Sequence, residues 1–424
     1  MKALLETSTD YGHPYRPLPI SLFNRAGRIA RKLGLGGRLN ADRMIAAAKR
    51  KTGLSDFGDE WFMEPLHVLV SSINDEARLN TLGNMLQHTR LVSALTTRLR
   101  AEQILKENPH ILEINLGRII LIAALQRTGT TALHRLLCSN PHLRGLYSWE
   151  MLNPLPGPGE QQGDQRSRIS KAKTAARVMR YMAPEFFVVH PIEFDAPEED
   201  IFLLDLSFMS QAPEATMHVP TYANWLEKQD QTEAYKYMYR MLKLMHWQRS
   251  GNAWVLKTPH HMEHIDTILN VFPDIRIVQT HRDPQQSIAS FLSMVAHARG
   301  ILSDHVDAQD IGQHWFRKSL RLMRRSLEAR KSREPSIFID ISYDDLVRKP
   351  IEALRKIYVA SGLPFDTNVE NHAKNVANRE TKDRYGRHVY RLCDFGIDND
   401  ELNRRCAFYR LQYGLTDGRS GNLR

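Results

Sequence analysis

The residues best suited to chemistry form a short polar loop between an apolar run, residues 119–125, and a helix-like segment, residues 132–138. The loop consists of Arg127, Thr128, Gly129, Thr130 and Thr131. A strand, a tight loop and a helix in this order can hold an anion, because backbone N–H groups and the helix N-terminus point at it. The arginine adds charge and the threonines add hydroxyl donors. The sequence therefore predicts an anion site here.

Two further predicted strands end in side chains that suit an anion. Arg282 follows the apolar run at residues 275–281, and Ser290 lies eight residues later on a helix that Pro284 opens. A guanidinium offers forked donors to a phosphate, and a hydroxyl on the next helix adds another. Lys257 lies near the end of a second run, residues 252–259. Because ligands bind at the carboxyl ends of parallel strands, we expect these side chains to meet the loop.

These motifs resemble the superfamily of sulfotransferases that depend on 3′-phosphoadenosine 5′-phosphosulfate (PAPS), in its broad bacterial branch. Residues 127–131 resemble the 5′-phosphosulfate loop, R-S/T-G-T-S/T, and residues 257–261 resemble the segment K-S/T-P-x-H. The resemblance implies that the loop binds the 5′-phosphosulfate, and that Arg282 and Ser290 bind the 3′-phosphate. It also implies that Lys257 stabilises the sulfuryl oxygens, and that the acceptor is a hydroxyl of a small molecule or lipid.

Sulfuryl transfer needs a base for the acceptor hydroxyl, and three side chains are candidates. Glu150 lies 23 residues after Arg127 and resembles the glutamate that follows the loop in tyrosylprotein sulfotransferases. His261, or its neighbour His260, resembles the base of the cytosolic enzymes, although Pro259 changes the register. We rank Glu150 ahead of His261. A structural role for either histidine, as a satisfied polar group at a turn, stays open.

A late basic segment supplies further candidates for phosphate contacts. Lys382, Arg384 and Arg387 resemble the loop that closes over the nucleotide in this superfamily. A solvated basic loop is the alternative interpretation of the same residues.

A metal site is not expected. His260 and His264 are spaced to share one face of a helix, but their order is not H-E-x-x-H and no third ligand is marked.

Apolar runs alternate with helical segments, which predicts an α/β fold with a P-loop-like, mainly parallel sheet flanked by helices. The predicted strands are residues 118–125, 252–259, 275–281 and 336–341. We divide the chain into an N-terminal helical extension or cap, residues 1–112, and a sulfotransferase domain, residues 113–424. A helical insert is expected at about residues 153–250.

An amphipathic helix is predicted near the N-terminus. Leu22, Phe23, Ile29 and Leu33 recur at helical spacing, and basic residues occupy much of the rest. We expect the apolar face to dock on the catalytic core. Peripheral membrane contact through residues 20–35 is the alternative, and an interface in a homo-oligomer is left open.

The composition, the cysteine count and the net charge limit the expected cellular location and the expected binding partners. The hydrophobic content of 42% and charged content of 25% are typical of soluble globular proteins, and the longest apolar run is too short to span a bilayer. The three widely spaced cysteines form no disulfide framework, so a cytoplasmic location is expected, at the inner membrane face if the N-terminal helix binds lipid. The net charge of +10 suits a polyanion such as PAPS, and no nucleic-acid-binding motif occurs.

Two other functions compete with sulfuryl transfer. A P-loop kinase-like enzyme would need a Lys after Gly129, and none follows it. A catalytically silent, membrane-peripheral scaffold that binds a nucleotide would not need Arg127, Lys257, Arg282 and Ser290 together.

Overall fold

The computed structural model describes residues 6–34, 37–157, 159–379 and 386–415. Its strands are β1 Arg118–Ile122, β2 Leu143–Gly145, β3 Ala253–Lys257, β4 Ile275–His281 and β5 Phe338–Ser342. They form one parallel sheet in the order β2-β3-β1-β4-β5. The predicted α/β fold and mainly parallel sheet are confirmed, and the four predicted strands are all present. β2 is an addition, because three residues are too few to show a strand pattern.

Helices cover both faces of the sheet and precede it. Those before β1 are α1 Leu18–Lys32, α2 Ala41–Thr52, α3 Met63–Glu76 and α4 Thr81–Glu107. Those between β1 and β3 are α5 Thr130–Leu137, α6 Ser148–Leu152, α7 Arg166–Met182, α8 Pro184–Val189, α9 Ile201–Asp205, α10 Ala212–Thr216, α11 Pro220–Leu226 and α12 Thr232–Gln248. The remainder are α13 Ile265–Val271, α14 Pro284–Leu302, α15 Ala308–Lys331, α16 Tyr343–Arg348, α17 Pro350–Ala360, α18 Thr367–Ala377 and α19 Asn399–Tyr413. Within the described ranges, none of these helices has both the length and the apolar character that crossing a bilayer requires.

The central strand β1 shows why the sheet is buried on both faces. Ile119 and Leu121 join one apolar cluster, which includes residues of α12, α14 and α15. Ile120 and Ile122 point the other way and join a second cluster with residues of α5, α17 and α18. A strand that is apolar on both sides is typical of a parallel sheet between two helical layers. The carboxyl ends of β1, β3 and β4 then lie side by side and carry the loops described below.

The N-terminal helix α1 is present at the predicted place, but it docks with the opposite face. Its one buried residue is Asn24, whereas Leu22, Ile29 and Leu33 are exposed. The expectation that the apolar face of this helix packs on the core is therefore wrong. Helical spacing identifies an apolar face, but it does not determine what covers that face.

Candidate active site

The loop between β1 and α5 has a backbone shape that depends on glycine. Gly129 has φ +85°, and a Cβ atom there would lie 2.9 Å from Leu346 Cδ2. Arg127 also has a positive φ, +63°. Thr128 Oγ1 donates to the carbonyl of Leu125 at 2.6 Å and lies 2.6 Å from Thr280 Oγ1 at the end of β4. The buried Thr128 thus ties the loop to the sheet. The first N–H groups of α5, beginning at Thr130, have no partner within the helix and can face an anion.

The loop of residues 127–131 is joined to Arg282 and Ser290 by direct hydrogen bonds. Arg127 Nε donates to Ser290 Oγ at 2.9 Å, and its Nη1 donates to the carbonyl of Val189 at 3.2 Å. Arg282 Nη1 donates to the carbonyl of Arg127 at 2.9 Å, and the Arg282 guanidinium lies over the ring of Tyr343, 4.2 Å from its centroid. Burial lowers the pKa of Arg127, but an arginine keeps its charge at neutral pH. Two guanidinium groups and a hydroxyl are therefore gathered where the sequence predicts the phosphates.

Lys257, the last residue of β3, completes this group of cations. Its Nζ donates to Glu199 Oε1 at 2.8 Å and reaches Thr131 Oγ1 in the loop at 3.5 Å. Thr258 Oγ1 donates to the other oxygen of Glu199 at 3.2 Å. We call Arg127, Lys257, Arg282 and Ser290 the anion cradle. Its residues come from the carboxyl ends of three neighbouring strands and from the helix after β4, as the strand-end argument predicts.

Glu199 is an acidic side chain beside the cradle, and it is not among the bases expected from the sequence. Burial raises its pKa, but Lys257 and Thr258 outweigh burial and the net shift is downward. His190 lies close to the same carboxylate, and burial lowers its pKa against the opposing effect of Glu198 and Glu199. Lys257 and Glu199 are 58 residues apart, and no local sequence pattern links them.

Glu150, the first-ranked base, is held in a buried ion-pair network away from these contacts. Arg144 donates to both carboxylate oxygens, at 2.7 and 2.9 Å. Arg249 donates to both as well, at 2.7 and 3.2 Å. The backbone N–H of Tyr147 adds a bond of 3.0 Å. Burial raises the pKa of Glu150, but the two arginines outweigh it and lower the pKa overall. Such a carboxylate has little capacity left to accept a proton from an acceptor.

The two candidate histidines are also engaged inside the protein. His261 Nδ1 lies 2.9 Å from the hydroxyl of Tyr235, and its Nε2 lies 2.9 Å from Asp200 Oδ1. His260 Nε2 lies 2.9 Å from Gln231 Oε1. Burial lowers the pKa of His260 well below its ordinary value. The contacts of His260 Nε2 and His261 Nδ1 fit the structural interpretation that was left open, in which the rings are polar groups at the turn after β3. His261 Nε2 is near Asp200 but has no partner in hydrogen-bond geometry within the described residues.

Only part of the late basic segment lies within the described residues. Lys382 and Arg384 lie outside the described residues. Arg387 is exposed, and its Nη1 donates to Glu6 Oε1 at 3.1 Å. In the described part of the chain, its ion pair is on the surface and not with the cradle.

His388, the next residue, reaches the cradle although the sequence did not single it out. Its Nδ1 lies 3.5 Å from Ser290 Oγ, and its Nε2 lies 3.0 Å from Ser293 Oγ. Burial, and then the charge of Arg127, lower the pKa of His388 to about 3. A neutral histidine therefore contacts Ser290, the serine that is predicted to bind the 3′-phosphate.

The histidines at residues 260 and 264 have ring centroids 4.7 Å apart. In the ranges that the structure covers, no cluster of three or more His, Cys, Asp or Glu side chains could hold a metal ion.

Comparison with known proteins gives a consistent result. A family model described as "Sulfotransferase family" matches residues 120–367. A curated relative, omega-hydroxy-beta-dihydromenaquinone-9 sulfotransferase Stf3 of Mycobacterium bovis, is 23% identical over 258 residues. That match covers 58% of this chain and 62% of the relative, so it spans less than two thirds of the relative's length.

Two crystal structures of similar proteins cover nearly the whole fold. Sulfotransferase STF9 from Mycobacterium avium is 25% identical and superposes with a TM-score of 0.79, over 89% of this chain and 97% of that one. Sulfotransferase STF1 from Mycobacterium tuberculosis is 30% identical, with a TM-score of 0.76, over 88% of this chain and 99% of that one.

Proposed function

The chain belongs to the sulfotransferase family, and from that premise we propose that it transfers the sulfuryl group of PAPS to a hydroxyl of a small-molecule or lipid acceptor. The anion cradle carries this proposal. Arg127 is hydrogen-bonded to Ser290 and to Arg282, and Lys257 reaches Thr131 in the first turn of α5. A ligand with several phosphate or sulfate oxygens matches that arrangement of donors.

The residues present fit the nucleotide without a metal ion. The Arg127–Ser290 bond has a hydroxyl as acceptor, so a phosphate oxygen can replace it with a gain of charge complementarity. Gly129 lets the loop pack closely on α16, because a Cβ there would lie 2.9 Å from Leu346 Cδ2. We assign the loop of residues 127–131 to the 5′-phosphosulfate, and Arg282 and Ser290 to the 3′-phosphate. Lys382 and Arg384 stay predicted phosphate contacts.

Bound PAPS would supply the sulfuryl group, whose bond to the bridging phosphate oxygen breaks as the acceptor oxygen bonds to sulfur. Lys257 and Arg127 stabilise the negative charge on the transferring and leaving oxygens. The acceptor proton passes to a carboxylate, for which we assign Glu199 in place of Glu150 and the two histidines.

The Lys257–Glu199 pair suggests how that carboxylate becomes basic. Burial raises the pKa of Glu199 and Lys257 lowers it. When Lys257 turns from Glu199 toward the sulfuryl oxygens, the lowering effect weakens and burial dominates. Glu199 then accepts a proton more readily, at the stage when the acceptor hydroxyl must lose one.

The acceptor class follows from the relatives. The name of the Mycobacterium bovis relative specifies a hydroxylated dihydromenaquinone as its acceptor. We propose for this chain only the broader class of apolar molecules that carry a hydroxyl group.

The test is calorimetric binding of 3′,5′-adenosine bisphosphate, the product nucleotide, beside ATP with magnesium. We expect metal-independent binding of the bisphosphate, weakened by about tenfold to a hundredfold in Arg282→Ala, because a charged hydrogen-bond pair to phosphate is lost. Arg276→Ala, at the other end of the same strand, is the matched control and should keep the affinity. A preference for magnesium–ATP would support the kinase-like alternative. Bisphosphate binding with no sulfate transfer to any hydroxyl acceptor would support the silent scaffold.

A further inference from the structure

Helix α1 attaches to the rest of the protein through its polar side. The buried Asn24 accepts a hydrogen bond from the backbone N–H of Leu82 at 2.9 Å. Gly27 lies against α4 so closely that a Cβ atom there would be 2.1 Å from Thr81 Oγ1. Arg31 donates to the carbonyl of Leu79 at 2.9 Å. Polar bonds and a close glycine contact therefore hold this helix in place.

The opposite side of α1 is apolar and faces outward. Leu18, Leu22, Ile29 and Leu33 lie within about 60° of one another around the helix axis, and Asn24 lies about 150° from their centre. Their exposed fractions are 71%, 56%, 55% and 71%. An amphipathic helix of a globular protein normally turns its apolar stripe to the core. Here the stripe is displayed, which marks an interaction surface.

The charges around this stripe indicate what it contacts. α1 contains no acidic residue. Arg25 and Lys32 lie along one edge of the stripe, are exposed, and make no ion pair within the described part of the chain. The acid that faces the helix is Asp304, and Arg28 and Arg16 pair with it on the docked side. An apolar stripe with a free cationic edge is complementary to an anionic lipid surface.

A cavity lies beside the start of this helix. Its lining is mixed, with apolar residues that include Ile20, Leu82, Met182 and Phe186, and charged residues that include Arg16 and Glu185. Ile20 belongs to α1, so the cavity and the exposed stripe share one helix.

One lining residue of the cavity leads toward the cradle. The ring of Phe186 meets the ring of His190 edge-on at 5.8 Å, and His190 interacts electrostatically with Glu199 and Lys257. The rings of Phe186 and His190 therefore lie between the cavity and these two residues.

From the outward-facing apolar stripe of α1 and the cavity beside it, we propose that α1 lies in the interface of an anionic bilayer. The acceptor then enters the cavity from that membrane. The binding of α1 to the membrane does not depend on the proposed function, whereas the entry of the acceptor from the membrane rests on it. An anchor of this kind needs both apolar burial and electrostatic attraction, and α1 provides the two together.

The test is co-sedimentation of the full chain with vesicles of phosphatidylcholine alone and of phosphatidylcholine mixed with phosphatidylglycerol. We expect binding to the mixed vesicles that weakens as salt increases. Leu22→Ser combined with Ile29→Ser should reduce partitioning by about tenfold or more, because two buried apolar contacts with lipid are lost. Arg25→Ser combined with Lys32→Ser should reduce binding to the mixed vesicles only.

The matched control replaces two apolar residues elsewhere that are more exposed than Leu22 and Ile29, Val359→Ser with Leu411→Ser. It should partition like the wild type. Bisphosphate calorimetry on every variant reports whether the fold and the nucleotide site are intact, independently of membrane binding. Equal loss in the control, or no wild-type binding to mixed vesicles, would overturn the proposal. A dimer in solution that Leu22→Ser with Ile29→Ser dissociates, without vesicle binding, would assign the stripe to a second copy of the chain and likewise overturn it.

Discussion

The anion cradle and the Glu150 network use the same kinds of side chain in opposite ways. In the cradle, Arg127 and Arg282 donate hydrogen bonds to a hydroxyl, an amide oxygen and backbone carbonyls. In the network, Arg144 and Arg249 both donate to one buried carboxylate. Neutral acceptors leave the two arginines of the cradle with positive charge that a polyanion can use. The carboxylate takes up donors of both arginines in the network, so the network stabilises the fold and has few donors left for a ligand.

This contrast separates binding from structural roles more sharply than residue type does. Glu199 lies at the boundary, because it is buried and ion-paired like Glu150 but its partner Lys257 also reaches the loop through Thr131. A ligand at the loop can draw Lys257 away from Glu199. The described contacts of Glu150 offer no such competition, since its two arginines donate to the backbone carbonyl of Gly145 and not to the loop of residues 127–131.

The largest effect is expected at Glu199. Glu199→Gln keeps the shape of the side chain but removes its ability to accept a proton, so we expect kcat to fall by about a hundredfold to ten-thousandfold. Binding of the bisphosphate should remain, which calorimetry checks beside a sulfate-transfer assay. Glu198→Gln, one residue earlier, is the control and should keep most of the rate. If Glu198→Gln loses the rate and Glu199→Gln does not, the base is the neighbouring carboxylate.

The next effect is on stability and not on rate. Glu150→Gln leaves Arg144 and Arg249 buried without their counter-charge, which should lower the free energy of unfolding by about 3–5 kcal/mol. Urea unfolding measures this loss. Glu352→Gln removes an exposed pair with Lys349 and should cost about 0.5 kcal/mol or less. At a temperature where the variant is folded, its transfer rate should be close to that of the wild type. A normal stability with a collapsed rate would restore Glu150 as the base.

These regions also show what could be predicted from the sequence. The strands were predictable because β1, β3 and β4 are apolar on both faces and each ends in a recognisable turn. The cradle residues were predictable because each lies at or shortly after the end of a strand, at Arg127, Lys257 and Arg282, or on the helix that follows one. Their roles toward a ligand remain predictions. β2 was not predictable, since three residues carry no periodicity.

The base could not be chosen from the sequence, because availability depends on distant partners. Glu150 is bound by Arg249, which lies 99 residues away, and His261 contacts Tyr235 across 26 residues. The same limit applies to α1. Its spacing predicted an apolar face correctly, but the buried Asn24 and the closely packed Gly27 determine which face docks.

The smallest expected effect is on the pH dependence of stability and concerns His388, which contacts the cradle residue Ser290. Burial holds its pKa at about 3, below the ordinary value of 6.5, so the folded protein keeps this ring neutral while the unfolded chain takes up a proton. Stability is therefore complete above about pH 6.5 and decreases as the pH falls toward 3, by about 1.4 kcal/mol per pH unit from this residue. In His388→Gln that contribution should disappear, so urea unfolding between about pH 6 and pH 5 should show a slope about 1 kcal/mol smaller than in the wild type. His67→Gln, on the exposed side of α3, should keep the wild-type slope. An unchanged slope in His388→Gln would mean that this ring titrates alike in the folded and unfolded states, and that the cradle is open to water at Ser290.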